Sequence, residues 1–246
     1  MAESGIPKTI HYCWFGRNPL PKLAIKCIES WRKFLPDYEI KEWNEDNFDV
    51  MMIPYTAEAY KNKKYAFVSD YARFWILYHY GGLYFDTDVE IIKPMNDIID
   101  KGPFMGCEKD AKDLNRWPDV NPGVGLGFPP EHSVIKELLD LYTNLSFSSE
   151  NQGGSYKTIV DYTTEVLTGH GLAKVDGIQE VAGIYIYPKE FFNPLEHVNQ
   201  LHITDNTRSI HLFAGTWVSN KERMKKRIIQ LLGARIYGII LKMKKK

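Results

Sequence analysis

The two carboxylates of Asp86-Thr87-Asp88 are the side chains in this 246-residue chain whose spacing most clearly permits chemistry. Residues two apart on a strand point to the same face, so the pair could hold one hard divalent cation and, through it, a diphosphate. The pattern alone is weak evidence, because a chain with 15 Asp is expected to contain about one such triplet by chance. Its value depends on the segments around it.

The segment before the pair supplies this context. Residues 65–80 have the pattern of a helix that a Gly-Gly pair would end, and residues 83–92 have the pattern of one strand carrying both carboxylates. Asp70 and Arg73 share a helix face, and Ser69 is a candidate N-cap. Helix and strand end could therefore present four charged side chains to one cleft. The alternative is a local Asp70–Arg73 ion pair beside a solvated strand end.

The elements that must position these side chains alternate between strand and helix patterns. Further strands are predicted at residues 9–15, 38–43, 103–108, 120–128, 179–187 and 209–213, and further helices at 20–35, 131–145 and 156–168. This alternation predicts an α/β fold with a mostly parallel central sheet flanked by helices, whose ligands bind at the carboxyl ends of the strands. Length and composition favour one domain over residues 1–220 and a tail at 221–246.

Two blocks of the chain resemble a known family of sugar transferases. Residues 69–73 (SDYAR) and 80–88 (YGGLYFDTD) are similar to the SDxxR and YGGxYxDxD signature of glycosyltransferase family thirty-two, whose members include capsule, lipopolysaccharide and initiating mannosyl transferases. Residues 10–16 (IHYCWFG) resemble a block of the large clostridial glucosylating toxins. The resemblance implies a GT-A fold, a nucleotide-sugar donor, a Mn²⁺ or Mg²⁺ ion and retention of configuration at the transferred sugar.

The resemblance also assigns roles to residues. Asp70 would contact the donor and Arg73 its sugar or phosphates, while Asp86 and Asp88 would lie at the metal, with Asp88 as a direct ligand. Further donor-binding residues would be Cys13, Trp14, Tyr84, Thr87, Asn121, Thr216 and Trp217. The Trp14 ring would stack on the base, with a UDP-sugar favoured over a GDP-sugar.

A late block, residues 211–217, resembles the family's terminal histidine motif and leaves two roles open. Either His211 completes the metal shell, as a neutral ring nitrogen can, or Thr216 and Trp217 meet the donor phosphates. Because no acidic residue stands out as a nucleophile, a front-face mechanism is expected, in which the departing phosphate helps to deprotonate the acceptor hydroxyl.

The net charge of zero conceals two oppositely charged parts. Residues 221–246 contain ten basic and one acidic side chain, a net charge of +9, so the remaining 21 basic and 30 acidic residues carry −9. Apolar residues recur in this tail at helical spacing, which is typical of an amphipathic helix on an anionic membrane. The alternative is a solvated helix that docks its apolar stripe on the domain. We therefore expect a cytoplasmic enzyme, peripheral on the inner face of the plasma membrane, with a lipid-linked glycan acceptor. The acidic body argues against a nucleic-acid partner.

Two other classes of protein are compatible with the Asp86-Thr87-Asp88 strand end. In phosphatases of the haloacid-dehalogenase type, the first aspartate of a similar sequence is the nucleophile. The other class is a catalytically silent sugar-binding module, against which the sequence offers only the presence of all four charged residues. The phosphatase reading leaves Ser69, Asp70 and Arg73 unexplained.

Overall fold

The computed structural model describes residues 4–111, 116–147, 157–197 and 200–215. Its strands are β1 (Thr9–Cys13), β2 (Glu39–Trp43), β3 (Gly82–Tyr84), β4 (Val89–Ile91), β5 (Phe104–Lys109), β6 (Asp119–Val120), β7 (Leu126–Phe128), β8 (Gln179–Val181), β9 (Ile184–Tyr187), β10 (Leu195–His197), β11 (Gln200–Leu201) and β12 (Ser209–His211). Its helices are α1 (Lys22–Phe34), α2 (Pro54–Lys61), α3 (Tyr65–Tyr80), α4 (Asn96–Ile99), α5 (Ser133–Thr143), α6 (Ile159–Gly169) and α7 (Lys189–Phe192). The predicted basic tail, Thr216 and Trp217 lie outside the described residues.

Eight strands form one mixed sheet in the order β2-β1-β3-β7-β5-β9-β8, with β6 paired to β5. Strands β2, β1 and β3 are mutually parallel, as are β5 and β9, while β7 runs antiparallel between β3 and β5. Strands β1, β2, β3, β5 and β9 consequently run in one direction, and their carboxyl ends lie at one edge of the sheet. The predicted α/β class, with a mostly parallel sheet flanked by helices, is confirmed.

Alternation along β1 shows why the sheet has a hydrophobic core on each face. Ile10 and Tyr12 pack in the cluster that includes α1, whereas Cys13 packs in the cluster that includes α3. Burial of each large apolar side chain stabilises the fold by roughly 1.5–3 kcal/mol. Because both faces of the sheet carry such side chains, helices must cover both. Among the helices in the described part of the chain, none combines the length and apolar character that crossing a membrane requires.

Helix α3 has the bounds that the sequence predicts. It ends at Gly81, whose φ of 62° favours glycine, and Gly82 follows with a φ of 102°. A Cβ on Gly82 would lie 2.6 Å from the Thr9 carbonyl oxygen, so the close approach of β3 to β1 requires glycine there. The prediction of Ser69 as an N-cap is wrong, because Ser69 lies inside the helix and its Oγ donates to the Tyr65 carbonyl.

The single strand predicted over residues 83–92 is also wrong. Strand β3 ends at Tyr84 and β4 begins at Val89, so both carboxylates of the acidic pair lie in the turn between the two strands. Strand β4 pairs with β12 instead of the main sheet, which places His211 opposite Val89. A local pattern cannot reveal this break, because the partner strand lies far along the chain. Turns likewise divide the strands predicted at 120–128 and 179–187.

Candidate active site

Asp86, Asp88 and His211 converge at the edge where the carboxyl ends of β1 and β3 lie. One ligand atom from each of the three side chains falls within 4.8 Å of the others. Asp88 Oδ1 lies 3.2 Å from His211 Nε2, and Asp88 Oδ2 accepts a 2.8 Å hydrogen bond from the Ala214 backbone N–H. The Leu212 N–H donates to the Asp88 carbonyl at 2.9 Å. Pairing of β4 with β12 therefore assembles this cluster, which we call the triad.

The charges of the triad are strongly coupled. Burial alone would raise the pKa of Asp88, but the hydrogen bond and charge of His211, together with the Ala214 N–H, lower it below its usual value. Burial would lower the pKa of His211, but the hydrogen bond and charge of Asp88 and the charges of Asp86 and Glu108 raise it. The triad thus attracts positive charge.

The donor set of the triad fits a hard divalent cation. Two carboxylates and one imidazole supply oxygen and nitrogen ligands of the kinds that Mg²⁺ and Mn²⁺ accept. His211 Nδ1 is buried and has no hydrogen-bond partner among the described residues. His211 thus lies beside the acidic pair, and its ligation of a cation stays a prediction.

Arg73 lies buried behind the triad and joins the two motifs. Its guanidinium forms ion pairs with Asp70 at 3.0 Å and with Asp86 at 3.2 Å, and it lies 4.8 Å from the centre of the Tyr84 ring. The Tyr84 hydroxyl donates to Asp86 Oδ1 at 3.3 Å. The local ion pair considered from the sequence is therefore present, but it is buried and includes Asp86.

Burial sets the protonation of this network. It raises the pKa of Asp70 to about 7, against the opposing charge of Arg73 and with a further increase from the charge of Asp86. Burial also raises the pKa of Asp86, which Arg73 partly offsets. The pKa of Tyr84 lies well above its usual value for the same reason, so its hydroxyl remains a proton donor.

The candidate base-binding residues on β1 and after it have different environments. Cys13 is buried beside Arg73 and Tyr84, and burial raises the pKa of its thiol to about 12. Trp14 is half-buried, and its Nε1 donates to the Asn18 carbonyl at 2.6 Å, which leaves the ring rather than the N–H available to a ligand. Thr87 is half-buried in the turn between the acidic pair.

Asn121 and Gly123 support Asp86 from the next turn. The Asp86 N–H donates to the Gly123 carbonyl at 3.0 Å, and the Gly123 N–H donates to Asn121 Oδ1 at 2.7 Å. Asn121 Nδ2 in turn donates to Glu108 Oε2 at 2.9 Å. The sequence singled out Asn121, whereas Glu108 had no motif to mark it. Its position near the carboxyl end of β5 is the signal that could have found it.

Replacement of Gly123 by Ala should displace Asp86. The new Cβ would lie 2.1 Å from Asp86 Oδ2, and overpacking of this kind costs about 1–3 kcal/mol. We expect a lower thermal midpoint and weaker Mn²⁺ binding, measured by scanning fluorimetry and by titration followed with electron paramagnetic resonance.

Gly169→Ala is the matched control for that change. A Cβ on Gly169 meets nothing within 4 Å, so this variant should be neutral or slightly more stable. Equal metal affinity in the Gly123→Ala and Gly169→Ala proteins would contradict the assigned contact.

Comparison with known proteins shows which family this chain resembles. Residues 21–105, about a third of the chain, match the family described as "Glycosyltransferase sugar-binding region containing DXD motif". The predicted resemblance to the DXD-containing sugar transferases is thus confirmed. The phosphatase alternative, with Asp86 as nucleophile, is not supported.

Individual proteins also resemble parts of this chain, which spans about a third of the length of the first of them. The chain is 31% identical to inositol phosphoceramide mannosyltransferase 1 of Schizosaccharomyces pombe over 111 residues, which are 41% of this chain and 33% of that protein. It is 22% identical to the initiation-specific alpha-1,6-mannosyltransferase of Candida albicans, over 86% of this chain and 72% of that protein. Among solved structures, PaToxG glycosyltransferase aligns with a TM-score of 0.49 and 20% identity, over 67% of this chain and 69% of that one.

Proposed function

We propose that the protein is a retaining, metal-dependent glycosyltransferase that moves a hexose from a nucleotide-sugar to a glycan acceptor. The observation that carries the proposal is the triad of Asp86, Asp88 and His211, within 4.8 Å of one another at the carboxyl ends of parallel strands. Ligands of open α/β sheets bind at that edge. The leaving group of such a reaction is a nucleoside diphosphate, whose charge the triad could stabilise only through a cation.

Each charged residue has a role in this proposal. Asp88 and His211, together with Asp86, would hold a divalent cation, which would supply Lewis-acid stabilisation of the charge on the diphosphate. Arg73 fixes Asp86 through the 3.2 Å ion pair, and the same nitrogen, Nη2, pairs with Asp70 at 3.0 Å. Asp70 and Asp86 accept hydrogen bonds from sugar hydroxyls of the donor, and the Trp14 ring stacks on the base.

Retention of configuration would follow a front-face path. The Arg73 guanidinium engages both Asp70 and Asp86 in ion pairs, so neither carboxylate is free to act as a covalent nucleophile. We therefore propose that the departing phosphate takes the proton of the acceptor hydroxyl. Nuclear magnetic resonance of the product tests retention, because it gives the anomeric configuration of the transferred sugar.

Donor screening tests the proposed function. UDP-glucose, UDP-galactose and GDP-mannose are each added with and without Mn²⁺, and thermal stability is measured. The resemblance favours a UDP-sugar, while the names of the two mannosyltransferase relatives give reason to include GDP-mannose. A ligand at about a hundredfold excess over its Kd stabilises a protein by about 2.7 kcal/mol, a shift that scanning fluorimetry resolves. If none of these sugars shifts the midpoint in the presence of Mn²⁺, the proposal fails.

We propose a lipid-linked glycan as the acceptor, at the inner face of the plasma membrane. Two considerations support it: the +9 charge of residues 221–246, and the relative named for acting on inositol phosphoceramide. Capsular or lipopolysaccharide synthesis would use such an acceptor.

Removal of the tail should abolish membrane binding. We expect the full chain to co-sediment with vesicles containing anionic lipid, and the protein ending at residue 220 to stay in solution, because the basic side chains would be lost. High salt should release the full chain. Equal sedimentation of both proteins, or binding to neutral vesicles alone, would rule out the membrane role.

A further inference from the structure

Glu108 is a carboxylate at the catalytic edge that the proposed chemistry does not use. It lies near the end of β5, whose carboxyl end shares the edge with those of β1 and β3. Its side chain is 24% exposed, so it is neither fully buried nor fully solvated. Its ion pair with Lys109 Nζ is weak, because the two groups are 3.9 Å apart and the Lys109 side chain is 46% exposed.

The strong contact of Glu108 is with Asn121. Asn121 is 8% exposed, and its Nδ2 donates to Glu108 Oε2 at 2.9 Å. A carboxylate only accepts hydrogen bonds, so it determines which end of the amide faces it. The Asn121 Oδ1 must then point the other way, where it accepts the 2.7 Å hydrogen bond from the Gly123 N–H.

The Gly123 turn transmits this orientation to the triad. The Gly123 carbonyl accepts the Asp86 N–H at 3.0 Å, and the absent Cβ of Gly123 leaves the space that Asp86 Oδ2 occupies. If the Asn121 amide were turned the other way, its NH₂ group would face the Gly123 N–H. Both groups are donors, so no hydrogen bond could form between them. The turn would shift, and Asp86 with it.

From this chain of contacts we infer that Glu108 is a positioning residue, which sets the Asp86 carboxylate for cation and donor binding through Asn121 and Gly123. The inference rests on the proposed function, since cation and donor binding are the properties it refines. Outer partners of metal ligands typically contribute 10- to 100-fold to affinity or activity. Loss of Glu108 should therefore weaken Mn²⁺ binding about 10-fold or more.

The chain offers a matched control in a second pair of the same chemistry. Asn206 Nδ2, in the segment after β11, donates to Glu190 Oε1 of α7, also at 2.9 Å, and Thr204 Oγ1 donates to Glu190 Oε2 at 3.0 Å. Glu190→Ala removes this Asn–Glu hydrogen bond without touching the Asn121 chain of contacts. It should therefore leave Mn²⁺ affinity at the wild-type value.

The experiment is a double-mutant cycle on Glu108 and Asn121. For each protein, electron paramagnetic resonance gives the Mn²⁺ affinity, and donor hydrolysis gives kcat/KM. We expect Glu108→Ala to lower both about 10-fold or more, and Glu108→Gln, which retains an acceptor oxygen, to recover most of the loss. The Glu108→Ala/Asn121→Ala protein should be no worse than Asn121→Ala alone, because Glu108 acts through Asn121.

The outcomes separate the two proposals. Suppose that the wild-type protein binds and turns over donor. If Glu108→Ala then has the same Mn²⁺ affinity and kcat/KM as the wild type, the positioning role is overturned and the proposed function stands. The same holds if the losses of the two single variants add in the double variant. If the wild-type protein binds neither Mn²⁺ nor donor, the proposed function fails and the inference fails with it. Equal losses in Glu190→Ala would show a general effect on stability and would also overturn the inference.

Discussion

Asp88→Asn should abolish donor turnover while leaving the fold intact. Asparagine keeps the shape of the side chain and an oxygen for the 2.8 Å hydrogen bond from the Ala214 N–H, but it removes the charge opposite His211. Loss of one group that stabilises transition-state charge costs about 10²- to 10³-fold in turnover. We expect a fall in kcat/KM for donor hydrolysis of at least that size, with Mn²⁺ affinity reduced in parallel.

The control for this change is Asp140→Asn. Asp140 is 58% exposed and pairs with Lys136 on the surface of α5, so its charge has little energetic weight. Both variants should unfold within a few degrees of the wild-type protein. Wild-type turnover by Asp88→Asn at saturating Mn²⁺ would show that Asp88 does not hold the cation.

Arg73→Met should cause the largest loss of stability. The Arg73 side chain is 4% exposed and compensates the carboxylates of Asp70 and Asp86, so its removal leaves two uncompensated charges in a poorly solvated site. Breaking a buried ion pair in this way costs about 3–5 kcal/mol, which lowers the midpoint of a protein of this size by roughly 6–20 °C.

The loss in Arg73→Met should depend on pH. In the wild-type protein, burial raises the pKa of Asp70 to about 7, with Arg73 opposing the rise. An acid whose pKa is raised on folding binds more protons in the folded state, so its cost to stability grows as pH rises from about 4 to about 7. Without Arg73 this cost increases. The variant should therefore lose more stability at pH 8 than at pH 5.

Two further variants test whether the lost stability comes from the uncompensated charges. Adding Asp70→Asn to Arg73→Met removes one of the uncompensated charges and should recover part of the lost stability. Arg17→Met removes the ion pair with Asp46, which is shorter at 2.7 Å but 62% and 70% exposed, and should leave the midpoint unchanged. A loss in Arg73→Met that is the same at pH 5 and pH 8 would contradict the electrostatic explanation.

Local patterns predicted the elements that form by local interactions. The bounds of α3 were correct because a helix forms from contacts between residues three and four apart and ends where Gly81 can adopt a positive φ. The strand predicted over 83–92 failed because a strand exists only through its partner. Here β3 pairs within the main sheet, whereas β4 pairs with β12.

The candidate site shows the same division. Motif resemblance identified Asp70, Arg73, Asp86 and Asp88 as candidate site residues, because all four occur at the family's spacing within one stretch of about twenty residues. It also proposed His211, but only the β4–β12 pairing places that imidazole 3.2 Å from Asp88. Glu108 carried no motif at all, since its contact with Asn121 depends on the packing of β5 against the turn before β7.

The sequence by itself therefore determined the resemblance to the DXD-containing sugar transferases, the α/β class and the identity of the charged residues, because each of these is recorded in residue types at short spacing. Only the tertiary structure decided that Asp86 and Asp88 occupy a turn rather than one strand face, that Arg73 is buried between two carboxylates, and that Glu108 supports Asp86. These features depend on which distant strands pair and on which charges that pairing removes from water. Both are properties of the folded chain as a whole.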